Sequence, residues 1–249
     1  MSGFFSALQF LTVLPAPLAR PTDRPSFSLG YFPLVGLLLG AMVAGLDWLL
    51  RLFLPMSLVN GAVIVAMIVL TGGLHLDGFM DTCDAIPGAH STTRRLEILK
   101  DLRVGSYGIL GVLSLLMAKY LALAALPLGL RLPSLLLMPV IGRWSMAVAI
   151  TVFPYARASG LGKDMKEGAA WWSRALATVR AAAMAAEALQ GGGVITLAGA
   201  CILTLLMGWH FTRRLNGLTG DTYGAINEVL EMAVLIMIPL AAAAYRIPS

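Results

Sequence analysis

Gly72-Gly73-Leu74-His75-Leu76-Asp77-Gly78-Phe79-Met80-Asp81-Thr82-Cys83-Asp84 closes an apolar segment that begins at Leu52, and Leu52 to Leu74 carries no formal charge. A bilayer core takes about 20 helical residues, so this segment is long enough to cross. Three carboxylates and a histidine near membrane depth are costly and point to a function. Read as a helix, Asp77, Asp81 and Asp84 have the i, i+4, i+7 spacing and share one face. Carboxylates that close repel one another. A cation between them removes the repulsion, and an all-oxygen ligand set favours Mg²⁺ or a similar hard ion. The plain alternative, a solvated helix end, leaves that repulsion beside an apolar span uncompensated.

Composition agrees with a membrane setting. The chain has 249 residues, 58% hydrophobic and only 12% charged, too little charge to cover a soluble domain of this size. Its long apolar segments predict an all-α, polytopic membrane protein rather than a barrel. The net charge of +5 does not indicate nucleic acid, because cytoplasmic loops of membrane proteins concentrate Lys and Arg. Cys83 and Cys201 have no metal or redox spacing and read as small apolar fillers. Met1 to Leu14 lacks a charged n-region and a small-residue cleavage site, and does not read as a cleaved signal peptide.

Outward from the acidic box, Phe4 to Leu11 is a short interfacial patch followed by Arg20 and Arg24, and Ser26 to Leu46 gives a first span. A second runs from about Ser57 into the box. A basic loop, Pro87 to Ser106, leads to a third span, Tyr107 to Leu130, interrupted by Lys119. The fourth, Leu135 to Phe153, contains Arg143. Trp171 to Gln190 is Ala-rich and ambiguous, Ala188 to Trp209 is a clear span before Arg213 and Arg214, and a last helix runs from about Asp221 to Tyr245. With no internal repeat or linker, residues 1–249 read as one domain. Basic clusters before span one and after spans two, four and Trp209 share the cytoplasmic side only if Trp171 to Gln190 also crosses, or re-enters and returns. That gives seven membrane segments; six put the Arg213 side opposite the Pro87 loop.

Asn216-Gly217-Leu218-Thr219-Gly220-Asp221 opens the last helix, and Asp221 to Glu228 repeats the seven-residue interval of Asp77 to Asp84. In the seven-segment arrangement one box ends a helix reaching the cytoplasmic face and the other begins a helix leaving it, so the two meet at one depth. A divalent ion bridging them to a diphosphate suits phosphoryl transfer. The predicted ligands are Asp77, Asp81, Asp84, Asp221 and Glu228. Arg143 offers a planar fork for a phosphate oxygen and Lys119 a point charge; Arg143 pairing with Asp47 or an interface headgroup, or Lys119 in an internal ion pair, are the structural alternatives. Asn216 is assigned to substrate binding. Asp84 and His75 take catalytic positions, His75 as ligand or substrate contact ahead of general base. Glu231 lies off the Asp221–Glu228 face and is set aside.

The box from Gly72 to Asp84 resembles the hallmark of the cobalamin synthase (adenosylcobinamide-GDP ribazoletransferase) family. The likeness continues in order through Phe10-Leu11-Thr12, Phe32-Pro33-Leu34-Val35-Gly36, Leu96 to Asp101, Gly142-Arg143, Pro154-Tyr155-Ala156-Arg157 and Thr219-Gly220-Asp221. Ala85-Ile86-Pro87 departs from it, where many relatives have a glycine after the last Asp. The resemblance implies a Mg²⁺-dependent phosphotransferase of the bacterial inner membrane, its site facing the cytoplasm. The 5′ oxygen of α-ribazole or its 5′-phosphate attacks the cobinamide-linked phosphorus of adenosylcobinamide-GDP, and GMP leaves. It leaves room for a homo-oligomer or a complex with other late enzymes of that pathway. Two alternatives compete: a UbiA-like prenyltransferase, whose motifs lack the Gly-Gly-Leu-His-Leu-Asp-Gly lead-in, and a cation transporter, which places acids near the bilayer midplane on broken helices.

Overall fold

The computed structural model describes residues 2–16, 25–101, 103–159, 161–167 and 169–245; Arg20 and Arg24 lie outside them. The described residues form helices and no strand. α1 (Ser2–Leu11) and a 3-10 segment (Pro25–Tyr31) precede α2 (Phe32–Leu50), α3 (Met56–Thr71), α4 (Leu74–Gly88) and α5 (Thr92–Ile98). Then come α6 (Ser106–Ala125), α7 (Leu128–Val152), α8 (Leu161–Glu167), α9 (Trp171–Leu215) and α10 (Gly220–Tyr245). Five helices are long and apolar enough to cross a membrane, or six if the bent α3–α4 pair forms one span. The protein is thus an all-α polytopic membrane protein.

α7 is the central post. It is buried without interruption from Leu137 to Ile150, as expected of a helix apolar all round. α2 lies along it through Gly36 and Gly40, one turn apart; a β-carbon on Gly40 would stand 2.8 Å from the Leu136 carbonyl oxygen. Small residues at this spacing let two backbones approach where lipid supplies no hydrophobic drive. Near the far end of the pair, Arg131 is 2% exposed and each of its three guanidinium nitrogens donates a hydrogen bond, to Asp47 (2.8 Å), Asn60 (2.6 Å) and the Leu123 carbonyl (3.1 Å). Asp47 therefore pairs with Arg131, and also with Arg51 at 2.9 Å, not with Arg143.

The structure corrects two stretches of the sequence reading. The second span does not run on into the acidic box: it stops at Thr71, and α4 turns away from α3 by 93°. Gly72 (φ +61°) and Gly73 (φ +72°) both take left-handed backbone, which ends a helix and which side chains disfavour. The third helix ends before Pro127, so Arg131 belongs to α7 rather than to a loop.

α9 is not one rod. Leu189 (φ −143°, ψ 15°) and Gln190 (φ 49°, ψ −130°) break the helix, and Gly193 sits directly against the Ala185 carbonyl. Residues eight apart in a continuous helix are separated by about 12 Å, so the chain has doubled back. The first arm buries Ser173, Ala177, Ala181 and Ala185, a stripe of small residues at four-residue spacing. Thr178 on this arm accepts a hydrogen bond from Trp144 Nε1 of α7 (3.1 Å), while Gly208 on the second arm receives the Phe153 ring. Weak hydropathy in Trp171 to Gln190 thus reflects an Ala-rich face packed on protein.

Candidate active site

Glycines bring the two acidic boxes into contact. α4 crosses α10 where Gly78 meets the Asp221 backbone and Gly224 meets that of His75; added β-carbons would lie 2.8 Å from the Asp221 carbonyl oxygen and 2.9 Å from that of His75. On its other flank α4 rests on α6, where Gly105 and Gly108 abut Asp84 and Gly111 abuts Cys83. The chain before α8 joins the same corner. Ala156 N donates to Leu218 O and Leu218 N to Pro154 O, each at 2.8 Å, which fixes Arg157 beside the start of α10.

Asp77, Asp81 and Asp221 are gathered at this crossing. Asp77 is exposed and Asp81 half-buried. α4 leaves the axis of α3 by 93°, so Asp81 does not continue the α3 segment. Its carboxyl is pushed up to about 7, by burial first and then by the charges of Asp77, Asp221 and Asp84, with Arg157 opposing. Asp221 accepts a hydrogen bond from Arg157 Nη2 at 2.6 Å and from Thr219 Oγ1 at 3.2 Å. Arg157 also donates to the Leu99 carbonyl (3.1 Å).

Asp84 has a different setting from its two neighbours on the face. Its two carboxylate oxygens accept from the backbone N–H groups of Gly105 and Gly108, each at 2.8 Å. This satisfies free donors at the start of α6 and places a negative charge at the positive end of that helix. Asn216 is the exposed, left-handed end residue of α9 (φ 60°) and does not line the cavity described below. Asparagine tolerates this backbone better than other side-chain-bearing residues.

Glu228 and Lys119 belong to a separate buried cluster. Glu228 sits two turns beyond Asp221, about 10 Å along α10. Lys119 Nζ donates to Glu228 and to Glu231, both at 2.7 Å, and Arg143 Nη1 donates to Glu231. Asn227 Nδ2 reaches Glu231 at 3.3 Å. Two cations and two anions balance inside the bundle, and Lys119 takes the internal pairing weighed for it above. Glu231, set aside on angular grounds, is the hub: it is 1% exposed and holds both cations. The side chain of Arg143 is fully buried, its anionic partner is Glu231, and it does not line the cavity; Arg157 does.

A cavity of about 240 Å³ opens at the crossing. It is lined by the polar groups His75, Asp77, Arg157 and Asp221 and by the apolar and aromatic groups Met146, Ile150, Tyr155, Met165 and Tyr223. Both ring nitrogens of His75, the Tyr223 hydroxyl and Arg157 Nε are buried without a hydrogen-bond partner among the described residues. Buried polar atoms of this kind are rare and call for a ligand or water. Among the described residues no three His, Cys, Asp or Glu side chains converge on a common metal position as they stand. The donor type nevertheless fits a hard divalent ion, since Asp77 and Asp81 offer carboxylate oxygens at the crossing.

A helical membrane bundle with an acidic cavity at a helix crossing defines the class. The family model described as cobalamin-5-phosphate synthase matches residues 3–239. A Roseiflexus sp. (strain RS-1) protein named adenosylcobinamide-GDP ribazoletransferase is 38% identical over 95% of this chain and 88% of its own. Proteins of the same name from Desulforamulus reducens and Stutzerimonas stutzeri are each 38% identical, over 94% of this chain and 94% and 96% of their own. No solved structure matches. The chain belongs to the cobalamin-5-phosphate synthase family.

Among the residues missed, Arg157 had a signal in Pro154-Tyr155-Ala156-Arg157, and Tyr155 stands in the same run. Glu231 had one in the need of Lys119 and Arg143 for anions. Tyr223 had none.

Proposed function

We propose that this protein transfers the cobinamide-phosphate group of adenosylcobinamide-GDP to α-ribazole or its 5′-phosphate, releasing GMP, as the last stage of nucleotide loop assembly in cobalamin synthesis. The observation that carries the reading is the glycine-on-backbone crossing of α4 and α10, which gathers Asp77, Asp221, Arg157 and His75 at one cavity, with Asp81 close enough to feel the charges of Asp77, Asp221 and Arg157. The acceptor 5′ oxygen attacks the cobinamide-linked phosphorus, and the bond from that phosphorus to the oxygen of the leaving GMP breaks. Arg157 presents its guanidinium to the diphosphate and is itself aimed by Asp221 and the Leu99 carbonyl. His75, with two free ring nitrogens, contacts the acceptor hydroxyl. Asp77 and Asp81, with Asp221 beside them, would hold Mg²⁺, which supplies charge neutralisation for the diphosphate and the departing phosphate. Asp84 serves by fixing α4 to α6.

The doubled-back α9 supports the seven-segment arrangement, with the acidic crossing on the cytoplasmic side of the bacterial inner membrane. Association with itself or with other late-pathway enzymes belongs to the same proposal. Purified protein with Mg²⁺ and both substrates should release GMP. Release of pyrophosphate from a prenyl donor in its place would instead mark a prenyltransferase, and ion flux with neither product a transporter.

A further inference from the structure

The cavity at the α4–α10 crossing is lined by two unlike sets of side chains, and only the acidic set is used by the reaction above. The other is apolar and aromatic. Tyr155 and Tyr223 stack with centroids 6.4 Å apart and planes 27° from parallel. Met146, Ile150 and Met165 complete the set, and Gly162 of α8 lies against the Tyr155 ring. Among the described residues the hydroxyl of Tyr223, a residue 3% exposed, is buried here without a partner.

We propose that this apolar set is the subsite for the aromatic base of the acceptor nucleoside, with the Tyr223 hydroxyl as its single directional contact. The inference rests on the transfer reaction proposed above.

Size selects the acceptor. About 240 Å³ is at the small end of ligand sites and suits a body of nucleoside dimensions; a corrin ring with its side chains cannot enter. Chemistry separates the acceptor's base from guanine. A benzimidazole riboside has an apolar edge and one free ring nitrogen, an acceptor for one O–H donor. Guanine carries several donors and acceptors along its edge, and a lining of methionine, isoleucine and tyrosine rings would leave most of them unpaired. Flat rings and polarisable thioethers favour a stacked heterocycle. The donor has room elsewhere. Asp77 lines this cavity and also an open groove of about 450 Å³ with Gly72, Gly73, Leu76, Met80 and Val112. Acceptor and bulky donor thus reach the same carboxylate from two different pockets.

Two variants test the assignment in the purified protein with Mg²⁺. Tyr223→Phe removes only the hydroxyl, and Met165→Trp crowds the apolar set. GMP release gives a KM for each substrate, and titration with α-ribazole alone reads the subsite without turnover. Tyr223→Phe should raise the KM and Kd for α-ribazole about five- to tenfold, the scale of one lost hydrogen bond, and leave the KM for adenosylcobinamide-GDP unchanged. Met165→Trp should raise the α-ribazole values further. An indole riboside, which lacks the free ring nitrogen, should bind wild type and Tyr223→Phe equally. Unchanged α-ribazole binding in Tyr223→Phe, or an effect confined to adenosylcobinamide-GDP, overturns the subsite. Absence of GMP release from wild type overturns the reaction itself, and the titration still tests the subsite.

Discussion

Replacing Glu231 by alanine removes the common anion of two buried cations. Lys119 keeps Glu228 at 2.7 Å, so the loss falls on Arg143, whose side chain is 0% exposed and has no other anion bonded to it. Breaking a buried pair by removing one partner costs about 3–5 kcal/mol, because the remaining charge stays desolvated. At about 1.4 kcal/mol per decade, that lowers the folded-to-unfolded ratio by roughly 10²- to 5 × 10³-fold. Reversible unfolding in mixed micelles titrated with SDS, followed by tryptophan fluorescence, measures it. The double variant Glu231→Leu with Arg143→Met removes both charges at similar volume. It should recover most of the loss, since apolar replacement of a buried pair is often neutral or stabilising. Wild-type stability of Glu231→Ala without substrate would show that Arg143 does not depend on Glu231, and would return the diphosphate as its partner. A double variant as unstable as the two single losses added together would refute the pairing as the cause.

Other expectations follow from the α4 carboxylates and from the path of the chain. Asp81→Asn should nearly abolish GMP release while leaving membrane insertion intact. Asp84→Asn should chiefly destabilise, by about 1–3 kcal/mol through its contacts at the start of α6; equal loss of Mg²⁺ binding in both variants would make Asp84 a metal ligand after all. Asp81 at about 7 instead of the usual 3.8 means the folded protein keeps a proton that the unfolded chain has lost. Its contribution to stability without metal is complete below pH 4 and is lost as pH rises through 7. Mg²⁺ must displace that proton, so calorimetric Mg²⁺ affinity should fall as pH drops below 7, and Asp81→Asn should flatten the dependence. Single cysteines in the loops 87–106 and 213–220, in a background lacking Cys83 and Cys201, should label from the same side with an impermeant reagent; labelling from opposite sides would exclude a seven-segment path.

Much of this molecule is readable along the chain. Apolar segments near bilayer length and a sparse charge count specify an all-α membrane protein, because lipid offers no partner for an open backbone. The i, i+4, i+7 acids of the first box and Asp221 of the second are legible as local patterns, and so is the family resemblance. What the pattern could not reveal lies in contacts between distant segments. Gly72-Gly73 reads as part of an apolar run until the backbone shows two left-handed residues turning α4 aside. Trp171 to Gln190 reads equally as a surface helix or a weak span until its alanine stripe is seen packed on protein. Spacing makes Asp84 and Glu228 equivalents of Asp81 and Asp221, but the fold gives Asp84 to the start of α6 and Glu228 to Lys119. Periodicity reports which residues of one helix share a face. It carries no record of the neighbour that face meets, and that neighbour decides whether a carboxylate is left for a ligand, takes up a helix end, or neutralises a buried cation.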